Sequence, residues 1–513
     1  METRTARPMG EVVALVAVVL TAALFLALSA GRITAPFGDS DEGINAAVWS
    51  TNARALRHLG PVDSHLGGRR EDGTRYATHP PTIVVAIAVA QWVAGDHPWS
   101  SRAPAWIASI VALLLLYQLG RRAGFDPLAA GGAVVAVGLT PMMLAYGAML
   151  DTPVICFPFG VAVVLRWYQV WQNDDPARPG WAPVGSMAAT AGLGALAGLA
   201  GWQAAVVTAL CGLSLAARAL RHRPGAIRAA LPFVVGGAIG VGLSLSWSWW
   251  VYGDFHTLAS KFNGRSGTAG GVGLGDMLSF QVPWIANLLS LSIIGLVGCV
   301  AALWDKRVRP LAAMSLAAVV VYALIFRQAA AGHQYWNYWA LLPAAVGWGH
   351  LLQRLLAEVR ERAKPTSRTM ASLVAVAVVV VGVAAFDTLR PNQAAGYIDD
   401  GRRAAELVAR TTFPPDQVAL NYVGQPYRPD AWIDYNTGRS PVALTSADEL
   451  RALADARPDD LVLVLGSCDP TDPSFSFCAS LLAPGVPHLA LQSTPPRIVT
   501  AAELAGHLAR SGN

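Results

Sequence analysis

Three carboxylates stand within four residues at Asp39-Ser40-Asp41-Glu42, just beyond an apolar run. Acids this close at a membrane surface repel one another, so some compensating cation or function is expected there. Asp41 also suits the cap of a helix over 42–59. A second acid, Asp151 in Ala-Met-Leu-Asp-Thr-Pro, falls where two apolar runs meet. An ionisable group at such a depth points to function, although Asp-Thr-Pro is equally a good helix start. His79, in Thr78-His79-Pro80-Pro81, is placed to contact a phosphate or a hydroxyl. Lys261 and Arg265 lie in a Gly-rich segment, 251–283, and cations there suit a lipid phosphate. The cluster His333-Gln334-Tyr335-Trp336-Asn337-Tyr338 mixes interfacial rings with groups that can bond a sugar or phosphate.

Long apolar elements must carry these residues. The 513-residue chain is 54% hydrophobic and only 14% charged, with a mean hydropathy of +0.41. Soluble domains carry about 25% charged residues. That deficit excludes a disordered chain and argues against a soluble enzyme. The apolar runs approach the roughly 20 residues that cross a bilayer. Expected spans are 11–30, 103–119, 128–147, 153–170, 183–200, 203–218, 229–250, 284–303, 310–326, 337–353 and 370–386. The run 82–94 is too short to cross and reads as a re-entrant or interfacial helix. If it does not cross, the basic clusters at Arg121-Arg122, Arg221 to Arg228, Lys306 to Arg309 and Arg354 to Arg368 all face the cytoplasm, as the positive-inside rule requires. The expectation is a mainly α, polytopic bundle of about eleven spans, with the N-terminus inside and the C-terminus outside. Residues 1–386 form the membrane domain, with a first outer loop at 31–102.

From about 387 to 513 the sequence changes character. Short helices and strands alternate: a helix at 398–411, a strand at 417–423, a helix at 447–456 after Ser446, and strands at 461–465 and 487–492. They imply a small extracytoplasmic α/β domain. Cys468 and Cys478 fall in it, and outside the cell they are expected to pair as a disulfide. Cys156, Cys211 and Cys299 lie in apolar runs and read as packing residues. No basic block interleaves with aromatics, so nucleic acid is not an expected partner. Only Lys261, Lys306 and Lys364 are lysines, a skew that fits a GC-rich bacterial genome and hence a bacterial plasma membrane.

In order and spacing, these motifs resemble those of membrane glycosyltransferases of the C-type fold, in the protein O-mannosyltransferase and aminoarabinose-transferase group (glycosyltransferase family 39 and relatives). The residues that carry the resemblance are Asp41-Glu42, His79-Pro80-Pro81, Arg102-Ala103-Pro104, Leu150-Asp151-Thr152-Pro153 and the aromatic segment ending in Leu341-Leu342-Pro343. The resemblance implies transfer of a sugar from a polyprenyl-phosphate donor to a hydroxyl on a glycan, lipid or protein acceptor, at the extracytoplasmic face and with inversion. It implies Asp41 as general base, with Lys261, Arg265 and Arg102 stabilising the phosphate that leaves. Glu42 and Asp151 would shape the site or, with Asp41, hold a divalent metal ion. There are two departures. Thr78-His79 stands where the aminoarabinose transferases place an acid–Lys pair, and no loop is long enough for the β-trefoil insertion of the protein mannosyltransferases. The alternative activity is a transporter or flippase of a lipid-linked glycan; such proteins tend to place their acids at mid-membrane, whereas these cluster at one face.

Overall fold

The computed structural model describes residues 9–38, 41–173, 184–222, 226–268, 271–362, 403–424, 429–465, 475–481 and 496–510. The chain divides into two compact units. One comprises Met1–Ile33, Asn52–Asp96 and Ser100–Asn392, and the other Thr34–Thr51, His97–Trp99 and Gln393–Asn513. The second unit thus groups the C-terminal region with two earlier segments.

The first unit is helical. Its opening helix α1, Met9–Ile33, shows how the protein meets its solvent. Val12, Val16, Leu20, Leu24 and Leu28 are exposed, whereas Phe25 and the polar Thr21 and Ser29 are buried. Thr21 and Ser29 donate to the carbonyls of Ala17 and Phe25. A soluble helix has the opposite arrangement. An apolar stripe turned outward, with hydroxyls satisfied within the bundle, is the pattern for contact with lipid.

Helix α2 spans Asp41–Asp63 and kinks at Gly60. Helix α3, Thr82–Ala94, occupies the short apolar run, and α4 runs over Pro98–Arg122. The expected span 128–147 is two helices, α5 (Pro127–Gly138) and α6 (Pro141–Tyr146). Pro141 has no N–H to continue the ladder, and Thr140 Oγ1 caps the new start by accepting from the Met143 amide. Then follow α7 (Thr152–Asn173), α8 (Val184–Ala200), α9 (Trp202–His222) and α10 (Ala226–Tyr252). The expected loop 251–283 is largely helical. It contains α11 (His256–Ser266) and the first part of α12 (Leu274–Leu289).

A bend of 110° separates α12 from α13, Ser292–Ala301, so the expected span 284–303 is bent as well. After α14 (Arg309–Ile325) and α15 (Arg327–Gly332) comes a 3₁₀ segment, Gln334–Ala340, that leads into α16 (Leu341–Arg362). Among the described residues, five helices are long and apolar enough to cross a membrane, or six if the bent pair counts as one span. Of the expected crossings, 128–147 is broken and 284–303 is bent. The one at 370–386 lies outside the described residues.

Close helix packing uses small residues. A Cβ added at Gly347 of α16 would lie 1.7 Å from the Gly295 carbonyl oxygen of α13. Gly236 and Gly240 of α10 approach the backbones of Ala191 and Ala195 of α8 in the same way. Without side chains between them the backbones touch, which is how helices gain dispersion contact in lipid.

The second unit contains a four-stranded sheet in the order β2-β1-β3-β4. Its strands are β1 (Ala419–Val423), β2 (Ser440–Ala443), β3 (Leu461–Val464) and β4 (Arg497–Thr500). The β1 pairings with β2 and β3 are parallel, and β3 pairs antiparallel with β4. Helix Ala447–Ala456 begins where Ser446 Oγ accepts from the Glu449 amide. Leu450, Leu504 and Leu508 close over Val423, Val462 and Val464. Cys478 is buried in this core and disulfide-bonded; its expected partner, Cys468, lies outside the described residues. The strand expected at 487–492 lies outside them too, and the fourth strand occupies Arg497–Thr500 instead.

Candidate active site

The segment before α3 is pinned from several sides. Trp202 Nε1 of α9 donates to the Thr78 carbonyl at 2.9 Å, and Ser248 Oγ of α10 donates to the Ala77 carbonyl at 2.8 Å. The Ala77 amide donates to the Tyr252 hydroxyl at 2.8 Å. Pro80 and Pro81 follow without amide donors of their own. His79 is thus buried in a fixed place, 7% exposed.

Asp151 stands immediately before α7 and is 6% exposed. Its Oδ1 accepts from the Thr152 amide at 2.6 Å and lies 3.4 Å from the Thr152 hydroxyl. The Tyr335 hydroxyl, from the 3₁₀ segment, donates to it as well. Arg265 sits in the last turn of α11, which ends at Gly267 with φ +74. Its guanidinium donates to His79 Nε2 and lies 3.5 Å from the Tyr76 hydroxyl. His79 Nδ1 in turn is 3.4 Å from Thr152 Oγ1. A chain of polar contacts therefore runs Arg265–His79–Thr152–Asp151–Tyr335 through four separate stretches of sequence.

This chain lines a cavity of about 220 Å³ together with Pro153, Gln328, His333 and Trp336. A water takes up roughly 30 Å³ of liquid. The space is thus large enough for a small polar headgroup. Arg265 is the only fixed cation among the lining residues. Burial, Arg265 and His333 hold His79 well below the usual imidazole range. Burial, then Arg265, pushes His333 down to about 4. Burial pushes Asp151 up to about 6, against its hydrogen bonds from Thr152 and Tyr335 and the pull of Arg265. Both imidazoles are neutral at pH 7, so the cavity has one guanidinium and one carboxylate. Arg265 is the group in this cavity that suits an anion.

Of the residues singled out in the sequence, Asp151, His79, Arg265 and His333 are brought together. Arg102 is buried in α4, where its Nη1 donates to the Ile33 carbonyl at 3.2 Å. Lys261 is exposed on α11. Tyr338 is buried, with its hydroxyl 2.8 Å from Ser109 Oγ and 3.1 Å from Met143 Sδ. None of these three lines the cavity. Asp41 is the first residue of α2, but its side chain lies outside the described residues. Glu42 follows it, half-buried. Among the described residues, no three His, Cys, Asp or Glu side chains gather as a metal site. His79 Nε2 is engaged by a guanidinium, which does not fit a cation at this point. Thr152, Tyr335 and Tyr76 complete the network. The first two lie in motifs visible in the sequence, whereas nothing local distinguishes Tyr76.

Residues 78–250 match the family model of dolichyl-phosphate-mannose-protein mannosyltransferases. The matched range opens one residue before His79 and contains Asp151. No curated protein matches the sequence. By structure, the chain is similar to ArnT from Cupriavidus metallidurans bound to undecaprenyl phosphate. The TM-score is 0.60 at 15% identity, over 95% of this chain and 99% of that one. It is also similar to the archaeal oligosaccharyltransferase AglB from Archaeoglobus fulgidus, in complex with an inhibitory peptide and a dolichol-phosphate. There the TM-score is 0.51 at 14% identity, over 88% of this chain and 69% of that one. The protein has the C-type glycosyltransferase fold and is a multi-pass membrane protein.

Proposed function

We propose that this protein transfers a sugar from a polyprenyl-phosphate donor to an acceptor hydroxyl at the extracytoplasmic face of a bacterial plasma membrane. The carrying observation is Arg265: one cation, fixed by His79, on a headgroup-sized cavity. The similarity to a fold whose solved members hold undecaprenyl phosphate or dolichol-phosphate supports the same ligand class.

In this reading the acceptor oxygen attacks the anomeric carbon as its proton passes to the Asp41 carboxylate. The bond from that carbon to the phosphate oxygen breaks, and polyprenyl phosphate leaves with the electron pair. Inversion follows from attack opposite the leaving group. A positioned base contributes about 10²–10⁴-fold. Arg265 meets the charge that grows on the leaving phosphate, and a charge-assisted contact in a partly dry site is worth most at that moment. Arg265 donates to His79 and keeps further N–H donors, because a guanidinium has five.

The test is transfer from a panel of radiolabelled polyprenyl-phosphate sugars by purified protein and its Asp41→Asn variant. Transfer from one donor, lost in the variant, is the expected result. Normal transfer by Asp41→Asn removes Asp41 as the base. Absence of turnover with any donor, in folded protein, favours transport of a lipid-linked glycan.

A further inference from the structure

The acidic segment folds with the C-terminal domain: Thr34–Thr51 belongs to the same compact unit as Gln393–Asn513. Phe37, two residues before the first acid, is fully buried. Its ring centroid lies 4.6 Å from that of Tyr435. Its carbonyl accepts from Asn436 Nδ2 at 2.7 Å. The same amide donates to the Trp432 carbonyl at 2.8 Å, one turn back in helix Pro429–Thr437. Both hydrogens of Asn436 are therefore used, one to hold its own helix and one to hold Phe37.

The other end of the acidic stretch is closed as well. A Cβ at Gly43 would lie 2.3 Å from the Gly38 carbonyl oxygen and 2.4 Å from the Gly38 nitrogen. The backbones at Gly38 and Gly43 thus touch on either side of Asp41 and Glu42. The stretch is anchored at its start by two neighbouring side chains of the C-terminal domain.

We infer that the C-terminal domain positions the acidic motif, with Tyr435 and Asn436 as positioning residues for Asp41. The inference rests on the reading of Asp41 as the base. It gives the domain a task within the reaction, distinct from holding an acceptor. Misplacing a reacting group by about an ångström costs on the order of 10²-fold in rate.

The experiment uses full-length protein and Asn436→Asp, which keeps the size of the side chain but presents oxygens to two carbonyls. The kcat is expected to fall about 10- to 100-fold, with the donor KM within about twofold. Amide hydrogen exchange across residues 37–45 is expected to rise. Tyr435→Leu keeps an apolar side chain, removes the ring contact and is read in the same way if Asn436→Asp does not accumulate. An unchanged kcat overturns the inference. So does a lost kcat with wild-type exchange in 37–45, or a donor KM that rises as far as kcat falls. Asp41→Asn is assayed in parallel. If it transfers normally, the reading of Asp41 fails, whereas the exchange arm still reports whether the C-terminal domain holds the segment.

Discussion

The guanidinium of Arg265 donates to Nε2 of His79, 186 residues away in the chain. A guanidinium cannot accept, so that nitrogen carries the lone pair and the ring proton sits on Nδ1, facing Thr152. His79 thereby joins the cation of the cavity to the Asp151 end of the network. Its tautomer follows from that contact, whereas its low pKa comes first from burial and then from Arg265, since a protonated ring would place two positive groups in contact.

His79→Ala removes the acceptor that aims Arg265. Donor kcat/KM is expected to fall about 10- to 100-fold. His79→Gln retains a carbonyl oxygen that can accept, and is expected to recover part of the loss. Arg265→Lys keeps the charge but not the planar fork, and is expected to lose about 10²-fold. Steady-state kinetics with a polyprenyl-phosphate sugar measure all three. Equal activity in His79→Ala and wild type would show that the contact does not orient Arg265.

Asp151 gives the stability a pH dependence with a definite sign. Its folded pKa, about 6, lies above the ordinary aspartate value. Between roughly pH 4 and 6 the unfolded chain has released this proton while the native protein still holds it. The native state binds more protons there, so this group lowers stability as pH rises through that window, with a plateau above it. Thermal unfolding of detergent-solubilised protein from pH 4 to 7 is expected to show the slope in wild type and a smaller one in Asp151→Asn. Identical slopes would assign the dependence to other groups.

The contact between Gly347 and Gly295 leaves no room for a methyl group. Gly347→Ala must separate α13 from α16 and is expected to cost about 3 kcal/mol. Gly242→Ala, where an added Cβ meets nothing within 4 Å, is expected to be neutral or to gain up to about 1 kcal/mol of helix propensity. Thermal midpoints of the two variants decide. A Gly347→Ala midpoint equal to that of Gly242→Ala would contradict the packing argument.

The orientation read from loop charges is open to labelling. Cysteines introduced at Gly95 and Val418 are expected to react with an impermeant thiol reagent in intact cells. Those at Arg121 and Arg360 are expected to react only after lysis. Reaction at position 121 in intact cells would invert the topology.

Much of the helical content was legible, because an apolar run long enough to cross a bilayer has few other uses. The helix after Ser446 was equally legible, since Ser446 and Glu449 carry their capping partners within one turn. Less legible were the breaks. The span expected at 128–147 parts at Thr140-Pro141, a signal present in the sequence but outvoted there by hydropathy. The bend between α12 and α13 falls at Ser290, where φ is +44 in a residue with no local mark of it. The Gly-rich stretch 251–283 reads as a loop by composition, yet α11 packs against α15 and forms there.

By itself, the sequence determined the environment, the helical class and the residue types able to handle phosphate and protons. Hydropathy and charge are properties of segments and need no partner. Tertiary structure decided which of those residues meet. Arg265, His79, Thr152, Asp151 and Tyr335 come from four stretches, and only the packing of α7, α11, the 3₁₀ segment and the pinned loop before α3 makes them neighbours. Arg102 and Tyr338 are as polar and as suggestive in sequence, and packing carried them elsewhere, because a side chain's partners are set by the helix face it occupies rather than by its type.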